Sequence, residues 1–185
     1  MGHRLEVTQV SAEQRPVLER LLQLSLYEGG MEPGEQGAID YRESLDKYFG
    51  GASCLPLFFT LDNRNVGFAL VKLCRAVREA DGISQGRTNF IEELYIRRPF
   101  RRKGLGTAAV ANVIAVNPGR WMVSTWPGSV RVAFWRHVAL SRHLASVTEY
   151  APGEHKGFPG QYVWAIEPVT QESHDEDITY GREAL

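Results

Sequence analysis

Alternating and helically spaced apolar residues divide the chain into short elements. Leu5, Val7 and Val10 alternate with polar neighbours over residues 4–10, the period of a half-buried strand. Ser11 and Gln14 then stand as a capping box, and Pro16 suits a first helical position, so a helix begins near Arg15 and runs to about Tyr27. Leu18, Leu21, Leu22 and Ser25 share one face of it, and Gly29-Gly30 stops it. Residues 38–49 carry Ile39, Leu45, Tyr48 and Phe49 among charges, a weaker amphipathic pattern that predicts a second helix.

Two apolar runs, 57–61 and 66–73, are rich in branched and aromatic residues, and the Asp62-Asn63-Arg64-Asn65 turn between them predicts a hairpin. The polar stretch 75–89 reads as a loop. A strand follows over 90–96, then a basic stretch, then a helix over 104–116 in which Leu105, Ala108, Ala109, Asn112 and Val113 have buried-helix spacing. Strands are expected over 121–126, 144–150 and 161–167, with a helix over 130–140. Five acidic residues, Glu172, Asp175, Glu176, Asp177 and Glu183, stand against a single Arg182 near the end. This division predicts one domain over residues 1–168 and a flexible acidic tail over 169–185.

Composition narrows the class of protein. A chain of 185 residues with 43% hydrophobic content can bury one good core and is short for two. A formal charge of -1 gives no global reason to bind nucleic acid or an anionic membrane, so any polyanion site must be local. Cys54 and Cys74 have neither disulfide nor zinc spacing and read as reduced, buried thiols. No signal-peptide pattern opens the chain and no apolar run approaches the roughly 20 residues of a membrane span, which predicts a cytoplasmic protein.

Such a local site exists. Five cations occur within residues 97–103, and Arg101-Arg102-Lys103-Gly104-Leu105-Gly106 joins a predicted strand to a predicted helix. Glycines at that junction let backbone amides turn toward a ligand, and the helix offers unpaired N–H groups and the positive end of its dipole. The loop lacks the Gly-Lys-Ser/Thr ending of a triphosphate-binding loop, and Ala109 stands where a dinucleotide fingerprint needs its third glycine.

The stretch 91–114 resembles the central motif of the GNAT acyltransferase superfamily, whose Arg/Gln-x-x-Gly-x-Gly/Ala loop is matched by Arg101, Gly104 and Gly106. The order of elements over residues 4–167 is similar to that fold as well. The resemblance implies an α+β architecture, an α/β sandwich-like GNAT fold. Its mixed, mostly antiparallel central sheet would have about six to seven strands, splayed at the fourth, with about four helices. It implies acetyl-coenzyme A as the acyl donor. Amides of Lys103, Gly104, Gly106 and Thr107, within a loop that includes Leu105, would hold the pyrophosphate, with charge added by Arg101 and Arg102. Backbone groups near Tyr95 and Ile96 would pair with pantetheine like an added strand. Residues 128–135 fall where the superfamily often has Asn-x-x-Ala-x-x-Phe-Tyr, but only Phe134 is kept. In many relatives that tyrosine protonates the departing thiolate. Trp135 cannot, because an indole N–H is not an acid at neutral pH. Phe134 and Trp135 are therefore expected beside the cofactor or in the core.

Acyl transfer to an amine needs a neutral amine, and Glu92 and Glu93 are the candidate bases. Strict strand alternation would turn them to opposite faces, leaving at most one toward the acceptor. His137 and His143 flank a predicted helix and its exit and read as surface residues; no metal-ligand spacing occurs. Trp126, at a strand end, is placed to edge the acceptor pocket, and Glu28, Glu32, Glu35 and Asp40 put carboxylates in the region from which this superfamily selects acceptors. The expected reaction is N-acetylation of a small-molecule amine, with no membrane partner and with a homodimer left open. Two alternatives are a transferase of related fold that takes its acyl group from aminoacyl-tRNA, the one nucleic-acid partner considered, and a non-catalytic acyl-coenzyme A sensor.

Overall fold

A computed structural model describes residues 5–29, 45–73, 88–141, 144 and 146–167. Cys74, His143, the acidic tail and the carboxylates of Glu32, Glu35 and Asp40 lie outside the described residues. Strand β1 (Leu5–Gln9) leads through a short 3-10 turn, with the Ser11/Gln14 capping box formed, into helix α1 (Arg15–Glu28). All four apolar-face positions expected of α1 are buried. Residues 45–50 form helix α2.

The hairpin follows as β2 (Cys54–Leu61) and β3 (Arg64–Leu73). Its turn is tighter than the four polar residues suggested: Asp62 and Asn63, both at positive φ (49° and 60°), complete it, and Arg64 pairs with Leu61. Two left-handed residues in succession match the twist of the flanking strands. Next come β4 (Thr88–Ile96), α3 (Leu105–Val116), β5 (Arg120–Thr125), α4 (Arg131–Ala139), β6 (Ser146–Tyr150) and β7 (Tyr162–Glu167). Thr88 and Asn89, expected in a loop, belong to β4. They are polar yet 0% exposed, because both pair with β5 and Asn89 also pairs with Leu73.

The seven strands form one sheet in the order β1-β2-β3-β4-β5-β7-β6. Every neighbouring pair is antiparallel except β4 with β5. That parallel pair holds together only from Thr88 to Phe90; beyond Phe90 the two strands have no partners in each other, and the sheet opens into a V. The sheet is covered on both faces. Ala109, Val110 and Val113 of α3 and Trp135 and Val138 of α4 pack on one face with Val71, Ile91, Trp121 and Trp164. Leu18, Leu22 and Leu26 of α1 and Leu45 and Tyr48 of α2 pack on the other with Phe58, Phe68 and Tyr95. Among the described residues no helix is long and apolar enough to cross a membrane.

Candidate active site

The glycine loop forms where β4 ends. After Ile96 the chain makes a 3-10 turn over Arg98–Phe100, then places Arg102 (φ 61°) and Gly104 (φ 75°) in the left-handed region before α3 begins. The first bond of the α3 ladder runs from the Ala108 N–H to the Gly104 carbonyl at 3.0 Å. The amides of Leu105, Gly106 and Thr107 precede that ladder and project from the positive end of the helix dipole. A Cβ added at Gly104 would meet nothing within 4 Å, so its surroundings are open and its φ is what favours glycine.

Gly106 is a glycine for a different reason. A Cβ there would lie 2.8 Å from Cε2 of Phe134, so the start of α3 can approach α4 only without a side chain at that position. Phe134 in turn meets Trp135 edge-on at 5.1 Å between ring centroids, and Trp135 stacks on Trp164 at 6.5 Å. Trp135 is 4% exposed and lies in the core, one of the two places expected for it.

The basic residues divide into two groups. Arg101 is committed within the protein: its Nε donates to the Ile96 carbonyl at 2.7 Å, its guanidinium pairs with Glu28 of α1, and it lies over the Tyr95 ring at 5.4 Å. Arg102 and Lys103 are exposed and make no ion pair among the described residues. Arg101 therefore ties the loop to β4 and α1, and its two neighbours present their charge to solvent.

On the opposite face, a cavity of about 490 Å3 lies at the mouth of the V. Ile91, Glu92 and Glu93 of β4 line it with Val123 and Ser124 of β5, and the walls are completed by Lys47 and Tyr48 of α2, Lys72 of β3 and Phe158. Both glutamates line it because β4 is bulged. Leu70 pairs with Glu93 and Val71 with Ile91, which leaves Glu92 as an extra residue without a cross-strand partner. The expectation that alternation would separate the two carboxylates is thereby corrected.

Their environments differ. Glu92 accepts from Lys47 Nζ at 2.8 Å and from the Tyr48 hydroxyl. Burial by itself would raise its pKa, but those two hydrogen bonds, aided by the charges of Lys47 and Lys72, hold it below the usual carboxylate value. The Tyr48 phenol is pushed far up, first by burial and then by its bond to Glu92. Glu93 is 7% exposed and meets the guanidinium of Arg131, at the N-terminus of α4, with a shortest contact of 3.3 Å. That ion pair joins β4 to the helix following β5. Trp126, just past the end of β5, is 62% exposed.

Sequence reasoning had singled out neither Lys47, Lys72, Arg131 and Phe158 nor the hydroxyl of Tyr48. Each belongs to a segment remote from the glutamates, and no local pattern marks it. The remaining candidates, Tyr95 and Ile96, occupy the last two positions of β4, beside the loop and within the part of the strand that has left β5.

A sequence model of the acetyltransferase (GNAT) family matches residues 19–146. No curated protein sequence matches the chain. Among solved structures, an acetyltransferase from Thermus thermophilus is similar at 20% identity and a TM-score of 0.60, over 89% of this chain and 97% of that one. An aminoglycoside N(6')acetyltransferase from Legionella pneumophila is similar at 14% identity and a TM-score of 0.60, over 91% and 94% respectively. The PaiA N-acetyltransferase of Thermoplasma acidophilum, solved in complex with coenzyme A, is similar at 10% identity and a TM-score of 0.57, over 89% and 99%. At these identities the likeness to the solved structures is one of fold.

Proposed function

Since the chain belongs to the acetyltransferase (GNAT) family and is therefore an acyltransferase, we propose that it moves an acetyl group from acetyl-coenzyme A to the amine of a small molecule. The observation that carries this reading is the V between β4 and β5, which joins the glycine loop and α3 on one side of the sheet to the glutamate-lined cavity on the other.

The residues present fit the donor. Open space over Gly104, the leading amides of α3 and two exposed cations make an anion cradle, and β4 beyond Phe90 offers backbone with no β5 partner. Amides of Lys103, Gly104, Gly106 and Thr107 would hold the pyrophosphate. Arg102 and Lys103 would add charge, Arg101 would keep the loop seated on Ile96, and the backbone at Tyr95 and Ile96 would take pantetheine. Leu105 and Phe134, partly buried against the core, would border the cofactor. When bound, the donor supplies an activated acyl thioester.

The work left to the protein is to hold an amine and take its proton. Glu92, already accepting two hydrogen bonds and held ionised, is a weak base; it fixes Tyr48 and Lys47 and attracts the nitrogen. We assign the amine's proton to Glu93, which lies deeper in the cavity at 7% exposed. Trp135 holds Phe134 in place and moves no proton. The test is a thermal-shift series with acetyl-coenzyme A and coenzyme A, followed by thiol-release assays on an amine panel. Stabilisation by both coenzymes with turnover on an amine is expected. A melt unmoved by saturating coenzyme A would refute the reading.

A further inference from the structure

Among the described residues at the acceptor cavity, both glutamates already meet a cation and Lys72 is left over, and from this we infer that the acceptor is an amine that also carries an acid group, of the amino-acid kind. The inference rests on the acyl-transfer reading above and specifies its second substrate. Glu92 and Glu93 face the cavity together with Lys47 and Lys72, and Arg131 reaches Glu93. Lys47 lies 2.8 Å from Glu92, and Arg131 lies 3.3 Å from Glu93, so each carboxylate already has a cation. Lys72 is the surplus: it makes no hydrogen bond or ion pair among the described residues, yet its charge acts on Glu92 through space.

A simple ammonium entering this cavity would leave Lys72 without an anion. An amine bearing an acid supplies the missing anion. Its acid would lie against Lys72 and its nitrogen against the two glutamates, the Lys47–Glu92 pair opening to share the load.

The strand register places the two ends suitably. Lys72 follows Leu70 by two residues and so stands on the same face of β3, and Leu70 pairs with Glu93. The ammonium and the carboxylates thus arise from adjacent strands, offset at the backbone by about 7–10 Å. Long side chains shorten that distance to the span of one small molecule. Phe90 and Phe158, with ring centroids 6.1 Å apart, and the Tyr48 ring leave an apolar wall for the carbon part of the acceptor.

The experiment uses the purified full chain with acetyl-coenzyme A and matched acceptors: amino acids with small, apolar, aromatic and basic side chains, each beside its amide and its decarboxylated amine. For at least one side chain, kcat/KM should favour the acid by about tenfold or more, what one charge-assisted hydrogen bond supplies. Lys72→Glu should invert that order, lowering the acid and raising the decarboxylated amine, and Lys72→Met should abolish the preference without inverting it. Coenzyme A thermal shifts on each variant check that it is folded. Equal or better turnover of the decarboxylated amines by the unaltered protein would overturn the inference and leave acyl transfer to amines standing. Turnover of none of these amines, with coenzyme A still bound, would overturn both.

Discussion

Replacing Gly106 by alanine tests whether the cradle depends on how closely α3 meets α4. The new Cβ would lie 2.8 Å from Cε2 and 3.2 Å from Cζ of Phe134, about 0.6 Å inside an ordinary 3.4 Å contact at the nearer atom. Phe134 is constrained by its edge contact with Trp135, which is 4% exposed and stacks in turn on Trp164, 1% exposed. Overpacking of this kind costs about 1–3 kcal/mol, and the rigid aromatic column favours the upper half of that range. Better helix propensity returns at most about 1 kcal/mol. The net loss, about 1–2 kcal/mol, corresponds to a Tm lowered by roughly 2–8 °C in a chain of this size. Coenzyme A affinity should fall by about tenfold as the leading amides of α3 shift, equivalent to one weakened charge-assisted hydrogen bond. Adding Phe134→Leu should relieve the clash, so that the double variant melts higher and binds coenzyme A more tightly than the two single effects predict. Gly104→Ala makes a control with another origin: its Cβ meets nothing, its cost is the strain of a left-handed alanine at about 1–2 kcal/mol, and Phe134→Leu should not rescue it. Melts and coenzyme A titrations of the parent, the single variants and the double variants decide the matter. A Gly106→Ala protein that melts and binds like the parent, or one that Phe134→Leu leaves uncorrected, would refute the packing argument.

Three further outcomes are expected. Glu93→Gln should lower kcat by about 100-fold or more with coenzyme A affinity little changed, whereas Glu92→Gln should act mainly through acceptor KM; the reverse ranking in steady-state assays would exchange their roles. Because the pKa of Glu92 is depressed from its ordinary 4.5, the stability it contributes is present above that value and is lost as the pH falls through the folded-state pKa. Denaturant titrations should therefore show the deficit of Glu92→Gln at neutral pH vanishing in acid. Trp135→Phe should melt lower by a few °C through lost packing, about 1–2 kcal/mol, and keep its turnover per folded molecule; normal binding with turnover abolished would give the indole a chemical role.

What the sequence revealed was local in origin. The capping box at Ser11, the apolar face of α1, the hairpin runs and the glycine at the head of α3 are patterns a few residues long, and each appears in the structure where its spacing placed it. The boundaries of β4 were hidden because Thr88 and Asn89 are polar; they are buried by pairing on either edge, which no single-strand pattern reports. Gly106 stands out in the loop as a glycine whose amide is expected to approach phosphate, but a second constraint on it, packing against α4, has no local signal. A ring from a helix 28 positions later occupies the space a side chain would need. Charge partners were equally out of reach. Glu92 finds Lys47 at a separation of 45 residues, Glu93 finds Arg131 at 38, and Glu28 finds Arg101 at 73. Such pairs are set by the order of strands in the sheet, and nothing near either member encodes them.

The bulge in β4 shows how one extra residue changes what a site can do. In a regular strand Glu92 and Glu93 would point to opposite faces, and one carboxylate would lie under α3 and α4, away from the acceptor. The extra residue brings both to the cavity side, at the cost of two like charges close together, an arrangement that is unfavourable unless each finds a cation. The surrounding elements supply those cations from different directions: α2 brings Lys47 and the Tyr48 hydroxyl to Glu92, and α4 brings Arg131 to Glu93. Glu92, with a lysine and a phenol as donors, is held below the usual carboxylate pKa and orders its neighbours. The same α4 carries Phe134 against Gly106. One helix therefore touches both the glycine loop and Glu93, so a displacement at the loop should be felt at Glu93 through Arg131 as a change in acceptor turnover as well as in cofactor affinity.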